Sequence, residues 1–182
     1  MPLNFRQKEE LYEFQITIAK RWRGKGQKTW DPFSKFFFFF AGFNDLYFLW
    51  KQIDGDPGKE DENVSRILAK LSNEEADKPL AQLSTQVNYF KNRSPIQSMG
   101  DRSSNNQSMG KDSEGKKLKA ALLNSSATPS ERLVAFGGII YLVRCNLVHG
   151  NKIDSGDDET IIMNTVCPLE LILETSLSIP LK

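Results

Sequence analysis

Apolar side chains recur along most of the chain at the three-to-four-residue spacing that is typical of helices. Near the amino terminus this stripe consists of Leu11, Phe14, Ile18 and Trp22. Apolar residues also alternate from Tyr12 to Ile18, a pattern that would equally suit a strand. The same spacing predicts four later helices, over about 61–72, 77–91, 129–149 and 158–175. Because no segment predicts a convincing sheet, we expect an all-α fold in which residues 1–182 form a single domain.

A sixth helical segment, residues 32–50, is apolar on nearly every face and contains five consecutive phenylalanines. A helix of this kind belongs at the centre of a core, because no face of it suits water. The segment 129–149 is almost as apolar, and Thr128 and Glu131 form a capping-box pattern at its start. Pro168 is expected to kink or divide the last helix of the chain.

The remaining segments are predicted to be connections. Residues 20–32 are expected to form a basic linker, residues 54–62 a solvated acidic turn, and the serine-rich residues 94–115 a long mobile loop. Two interpretations of the basic cluster at 20–28 remain open. Interleaved with Trp22 and Trp30, these cations suit an RNA-binding surface, but they equally suit a helix end followed by a flexible linker.

Composition excludes several classes of protein. Lys plus Arg total 24 and Asp plus Glu total 23, so a formal net charge of +1 leaves no bulk attraction for nucleic acids. Two cysteines and one histidine cannot complete the usual zinc sites or a disulfide scaffold. We therefore expect no metal or other cofactor, with Cys145 and Cys167 as buried thiols in a reducing compartment. The longest apolar run has eight residues, too short to cross a membrane, so a cytoplasmic location is expected.

Two residues whose side chains could take part in catalysis lie near the end of the helix predicted over 129–149. Arg144 carries a permanent charge that suits phosphate oxygens. His149 is predicted to be the last helical residue, where unpaired carbonyls favour imidazolium and shift its pKa towards neutrality. The chemistry of the two residues alone favours a structural arginine and a capping histidine over a catalytic pair.

The motif YLVRCNLVHGNK around Arg144 and His149, together with the upstream FFFFFAGFNDLYFLW, resembles the HEPN superfamily of helical ribonucleases. The resemblance implies an HEPN-like helical bundle and a homodimeric, metal-independent endoribonuclease in which Arg144 and His149 are catalytic. Many members have a polar residue after the arginine. Here that position is Cys145, so the polar residue that would assist the catalytic pair is Asn146, one position later.

Two further residues are candidates for the site. Asn44 matches an asparagine of the family's aromatic helix, where it either braces the site or satisfies hydrogen bonds inside the bundle. Lys152, just after the predicted helix end, is a candidate phosphate contact or plain surface.

The resemblance also implies a biological role. RNA would be the substrate, cut by attack of its own 2′-hydroxyl, and the protein would act as a toxin or antiviral-defence effector. Such an enzyme would need restraint by an antitoxin or another regulatory partner. The alternative is a non-catalytic helical dimerisation or adaptor domain of a defence system.

Overall fold

A computed structural model describes residues 3–55, 58–92, 114–148 and 158–181. Within these ranges the regular structure is entirely helical, which confirms the all-α prediction. The helices are α1 (Phe5–Lys28), α2 (Pro32–Asp54), α3 (Glu60–Ala69), α4 (Asn73–Gln82), α5 (Ser84–Asn92), α6 (Glu114–Leu123), α7 (Pro129–Val148) and α8 (Asp158–Ser176).

The phenylalanine-rich helix α2 lies at the centre, as predicted, packed between α1 and α8. Asp31 caps its start, where the carboxylate accepts a hydrogen bond from the Ser34 N–H at 2.7 Å. Gly55 ends it in the left-handed conformation, at φ 68°, which a side chain would disfavour. Most of its aromatic side chains are buried, including Phe36, Phe39, Phe40, Phe43, Tyr47 and Trp50.

The second long apolar helix, α7, packs against α3, α4 and α6. Its predicted capping box is confirmed, since the Thr128 N–H donates to Glu131 Oε2 at 2.8 Å and the Glu131 N–H donates to Thr128 Oγ1 at 3.2 Å. Glycines on two sides of α7 allow its neighbours to approach closely. A Cβ at Gly137 would collide with Leu68 of α3, and one at Gly138 would lie 2.7 Å from Leu118 of α6.

Helix α1 differs from its prediction in two ways. The basic linker expected to begin at residue 20 is wrong for residues 20–28, because α1 continues as a helix to Lys28. Gly26 is buried there, and its missing side chain makes room for the ring of Phe39. The predicted apolar stripe is also shifted, since Ile16 and Ala19 face the core while Phe14 is 60% exposed.

Three other boundaries differ from their predictions. The helix expected over 77–91 is two helices, α4 and α5, which meet at Leu83. Residues 114 and 115, assigned to the mobile loop, begin α6, and the rest of that loop lies outside the described residues. Pro168 does not divide α8, which continues to Ser176. None of the described helices is long and apolar enough to cross a membrane.

Candidate functional site

Arg144 lies on α7, one helical turn before the last described residue of that helix, Val148. Its guanidinium carbon is 5.4 Å from the centre of the Phe40 ring on α2, a cation–π distance. Its Nη1 atom is 3.7 Å from Glu60 Oε2 and 4.0 Å from Cys145 Sγ. The side chain retains 24% exposure, so the guanidinium is held in place while part of it still faces solvent.

Glu60, the first residue of α3, links three helices at this point. The Tyr47 hydroxyl of α2 donates to Glu60 Oε1 at 2.5 Å, and the Tyr141 hydroxyl of α7 donates to Oε2 at 3.3 Å. A carboxylate at the first position of a helix is favoured by the N–H groups and the dipole there. Glu60 therefore positions Arg144 while it joins α2, α3 and α7.

The electrostatics of this cluster keep its phenols neutral and its guanidinium charged. Burial raises the pKa of Tyr47 well above its usual value of 10, and the hydrogen bond to Glu60 raises it further. The pKa of Tyr141 is also raised, by burial and then by its contact with Cys145. Burial alone would lower the pKa of Arg144, but the contact with Cys145 and the charge of Glu60 outweigh it, so that pKa is raised.

The two predicted asparagines lie in different surroundings. Asn44 belongs to the cluster, because its Oδ1 contacts the Tyr47 hydroxyl, which in turn binds Glu60. Asn146 is 1% exposed and lies inside the bundle, whereas the Arg144 side chain is partly exposed. The bundle thus places Asn44 next to the predicted site, and Asn146 is too buried to meet a substrate without rearrangement.

His149 and Lys152 lie outside the described residues, so the predicted pairing of Arg144 with His149 stays a prediction. His149 follows directly after Val148, which ends the described part of α7. Of the predicted site residues, Arg144 and Asn44 belong to one cluster. They are linked through Tyr47 of α2, which contacts Asn44 and donates to Glu60, the partner of Arg144.

The cysteines differ from the prediction that both are buried thiols. Both are free, but Cys145 is only half-buried and Cys167 is exposed on α8. Within the described ranges, no three His, Cys, Asp or Glu side chains cluster closely enough to hold a metal ion.

A cavity of about 370 Å³ lies elsewhere, where α1, the ends of α2 and α3, and the C-terminal segment meet. Its lining includes Trp50, Ile179 and the ion pair between Lys70 and Asp54, which is 2.8 Å long. Of the predicted site residues that the structure describes, Arg144, Asn44 and Asn146, none lines this cavity.

Comparison with models of protein families, with curated proteins and with solved structures finds no match for this chain. Glu60 is not among the predicted site residues, because the sequence predicts residues 54–62 to be a solvated acidic turn. An available signal was the position of Glu60 at the start of the helix predicted from residue 61, where a carboxylate is favoured.

Proposed function

We propose that the protein is a metal-independent endoribonuclease of the HEPN type in which Arg144 and His149 act on the scissile phosphate. The observation that carries this proposal is the state of Arg144, a permanently charged guanidinium fixed between Phe40 and Glu60 but still partly exposed. Among the described residues, Glu60 and Cys145 both approach the Nη1 side. Arginine has five N–H donors, so the rest of the guanidinium can meet two phosphate oxygens.

The proposed reaction uses the 2′-hydroxyl of the RNA as its internal nucleophile. One imidazole removes the 2′-hydroxyl proton as the oxygen attacks phosphorus, and a second group gives a proton to the departing 5′-oxygen. Arg144 stabilises the negative charge that develops on the phosphorane oxygens. The products are a 2′,3′-cyclic phosphate and a 5′-hydroxyl.

The chain has a single histidine, His149, so one copy cannot easily supply imidazoles on both sides of the phosphorus. A homodimer supplies two. Two exposed apolar side chains border the Arg144 cluster. Phe48 stacks beside Tyr47 at a ring distance of 5.4 Å, and Val148 follows Arg144 by one helical turn. We assign this face to a second copy of the chain, with RNA entering the cleft between the copies.

The test compares cleavage of end-labelled RNA, with EDTA present, by the wild type, Arg144→Ala, Arg144→Lys and His149→Ala. Removing Arg144 or His149 is expected to lower cleavage by roughly 10²-fold or more, and Arg144→Lys to recover only part of it. Cys145→Ser serves as the matched control on the same helix and should retain cleavage. Circular dichroism and molar mass establish that each variant is folded and in the same oligomeric state.

A non-catalytic dimerisation or adaptor domain is the second candidate, and a specific observation favours it. The charge of Arg144 already has a partner in Glu60, as a purely structural arginine would. If purified wild type and all variants leave a panel of structured and unstructured RNAs intact while dimers form normally, the adaptor function replaces the enzyme.

In the enzymatic case, the biological role would be that of a toxin or antiviral-defence effector in the cytoplasm, restrained by an antitoxin or another regulatory partner. Expression of the wild type should then arrest growth, and expression of Arg144→Ala should not.

A further inference from the structure

The carboxyl-terminal third of α1 and the short connection to α2 carry a second surface, separate from Arg144. Its cations are Arg21, Lys25 and Lys28, spaced by four and then three residues, so that they form one exposed stripe along the helix. None of the three forms an ion pair with a carboxylate in the part of the chain that the structure describes. The stripe spans about 10 Å at the helical rise.

Two acidic residues of α8 lie against the flank of α1 that faces away from Lys25. Glu174 of α8 pairs with Arg23 at 2.9 Å, and Glu170 accepts a hydrogen bond from Gln27 at 2.9 Å. From the helical repeat, Arg23 and Gln27 each lie about 160° around α1 from Lys25. The cationic stripe therefore keeps its positive charge unneutralised while the opposite flank is bound to α8.

Aromatic rings flank the stripe. Trp22 stacks on Phe38 of α2 with ring centres 5.9 Å apart, and the Lys25 ammonium lies 4.5 Å above the Trp22 ring. Half-buried Asp45 of α2 has a pKa raised by burial, and the nearby Trp22 side chain partly opposes that rise. Trp22 is thus stacked against α2, and it holds Lys25 at the edge of the stripe.

Trp30 is the most exposed large apolar side chain among the described residues, at 92%. It is nevertheless not on a loose segment, because only Thr29, Trp30 and Asp31 separate α1 from α2. The Thr29 hydroxyl donates to the Lys25 carbonyl at 2.9 Å, and Asp31 caps α2. A rigid backbone that presents a whole indole to solvent resembles a prepared stacking platform.

From this arrangement we infer that Arg21, Lys25, Lys28 and Trp30 form a binding surface for single-stranded nucleic acid. Three cations at this spacing match consecutive backbone phosphates, and an exposed indole accepts a base in stacking. A duplex keeps its bases stacked inside and cannot use Trp30 in this way. The charge, the aromatic group and the rigid presentation all favour a single strand over an acidic protein.

This surface is connected to Arg144 along α2. Phe38 faces the basic stripe and Phe40 faces Arg144, and the helical repeat places Phe37 on the exposed strip between them. A strand bound on α1 could thus continue across α2 to the proposed cleavage site. The binding surface itself does not depend on that continuation.

The experiment measures fluorescence anisotropy of a labelled 2′-O-methyl oligouridylate of 15 nucleotides, which no 2′-hydroxyl mechanism can cleave, at several salt concentrations. The triple variant Arg21→Gln, Lys25→Gln, Lys28→Gln is expected to weaken binding roughly tenfold or more and to reduce the salt slope by about 2. Trp30→Ala should weaken binding by about 5- to 100-fold with little change in salt slope.

Matched controls separate this surface from general charge effects. Lys116→Gln, Lys117→Gln, Lys119→Gln on α6 makes the same change in net charge and should leave affinity within about twofold, since α6 lies on the other half of the bundle. Phe5→Ala removes an exposed aromatic residue from the start of α1 and should also leave affinity unchanged. A 15-base-pair RNA duplex should bind at least roughly tenfold more weakly than the single strand.

Three results would overturn the inference. In the first, the triple variants on α1 and on α6 weaken binding equally. In the second, the duplex binds as tightly as the single strand and Trp30→Ala binds like the wild type. In the third, the oligonucleotide does not bind, whereas vesicles containing acidic phospholipid do. Failure of the proposed ribonuclease is a distinct outcome. In that case the wild type still binds the single strand, the α1 variants still bind it more weakly, and no RNA is cut.

Discussion

At the scale of single residues, the site is organised by Glu60. Its carboxylate accepts hydrogen bonds from Tyr47 and Tyr141 and holds Arg144 at 3.7 Å, so three helices depend on one side chain. Charge-assisted hydrogen bonds of this kind are about twice as strong as neutral ones. Loss of the charge should therefore affect both the stability of the bundle and the position of the guanidinium.

Glu60→Gln is expected to lower the free energy of unfolding by about 1–2 kcal/mol, because two phenols lose a charged acceptor and Arg144 loses its counter-ion. Urea denaturation measures the change. Glu10→Gln is the matched control, since Glu10 pairs with Arg6 at 3.0 Å on an exposed face of α1 and should matter by less than about 0.5 kcal/mol. Equal effects of the two changes would contradict the central role of Glu60.

Tyr47 is expected to make the free energy of unfolding fall as the pH rises through the alkaline range. Its folded pKa is raised above the ordinary value of 10, so the folded protein keeps a proton that the unfolded chain loses. This contribution is complete below pH 10 and is lost as the pH rises above it. Relative to Tyr47→Phe, the wild type should lose about 1.4 kcal/mol between pH 9 and pH 11. Parallel urea-derived stability curves for the two proteins over that range would show that Tyr47 is not buried as described.

Some residues of the site can be predicted from the sequence, and others cannot. Arg144 stands out in the sequence because a charged residue interrupts a long apolar helix. Asn44 is predicted only from the resemblance of its helix to the aromatic helix of the HEPN superfamily. Glu60 does not stand out, because its role arises only when α2, α3 and α7 meet. A predicted helix start favours a carboxylate, but Asp61 and Glu62 stand in the same acidic run, so position alone narrows the choice without selecting Glu60.

At the scale of elements, close packing decides where helices begin, continue and meet. The type and order of most helices follow from periodicity, but the extension of α1 through Gly24 and Gly26 does not. Glycine disfavours a helix by about 1 kcal/mol relative to alanine. The buried approach of Phe39 over Gly26 compensates, and that contact is invisible in the sequence. The break between α4 and α5 falls at Leu83, which is fully buried.

The helical glycines supply a paired prediction with opposite signs. Gly24→Ala should stabilise the protein by about 0.5–1 kcal/mol, because a Cβ there meets no atom within 4 Å and the helix gains propensity. Gly137→Ala should destabilise it by about 1–3 kcal/mol despite the same gain, because its Cβ would collide with the buried Leu68 side chain. Thermal or urea denaturation measures both. A stabilising Gly137→Ala would mean that α3 and α7 pack less closely than described.

At the scale of the whole molecule, the buried apolar residues form one core, with α2 packed between α1 and α8 and with α7 packed against α3, α4 and α6. The Arg144 cluster lies where these two groups of helices meet. A site at such a junction remains fixed only while the bundle is intact, and the proposed second copy would cover its apolar border.

The pair of changes Phe48→Glu and Val148→Glu tests that border. Both side chains are exposed, at 40% and 51%, so glutamate should not disturb the monomer but would place charge inside a self-complementary interface. We expect the molar mass by light scattering to fall from two chains to one, with cleavage lost. Phe14→Glu, on the remote exposed face of α1, should keep the dimer. An unchanged mass in the double variant would place the interface elsewhere.

The most direct test of the central claim is the chemistry of the product ends, determined by mass spectrometry and phosphorus NMR after digestion of RNA in EDTA. We expect 2′,3′-cyclic phosphate and 5′-hydroxyl ends, no cut at a linkage whose 2′-oxygen is methylated, and loss of these products in Arg144→Ala. Ends carrying 5′-phosphate, cleavage at the methylated linkage, or full activity without the guanidinium would contradict it.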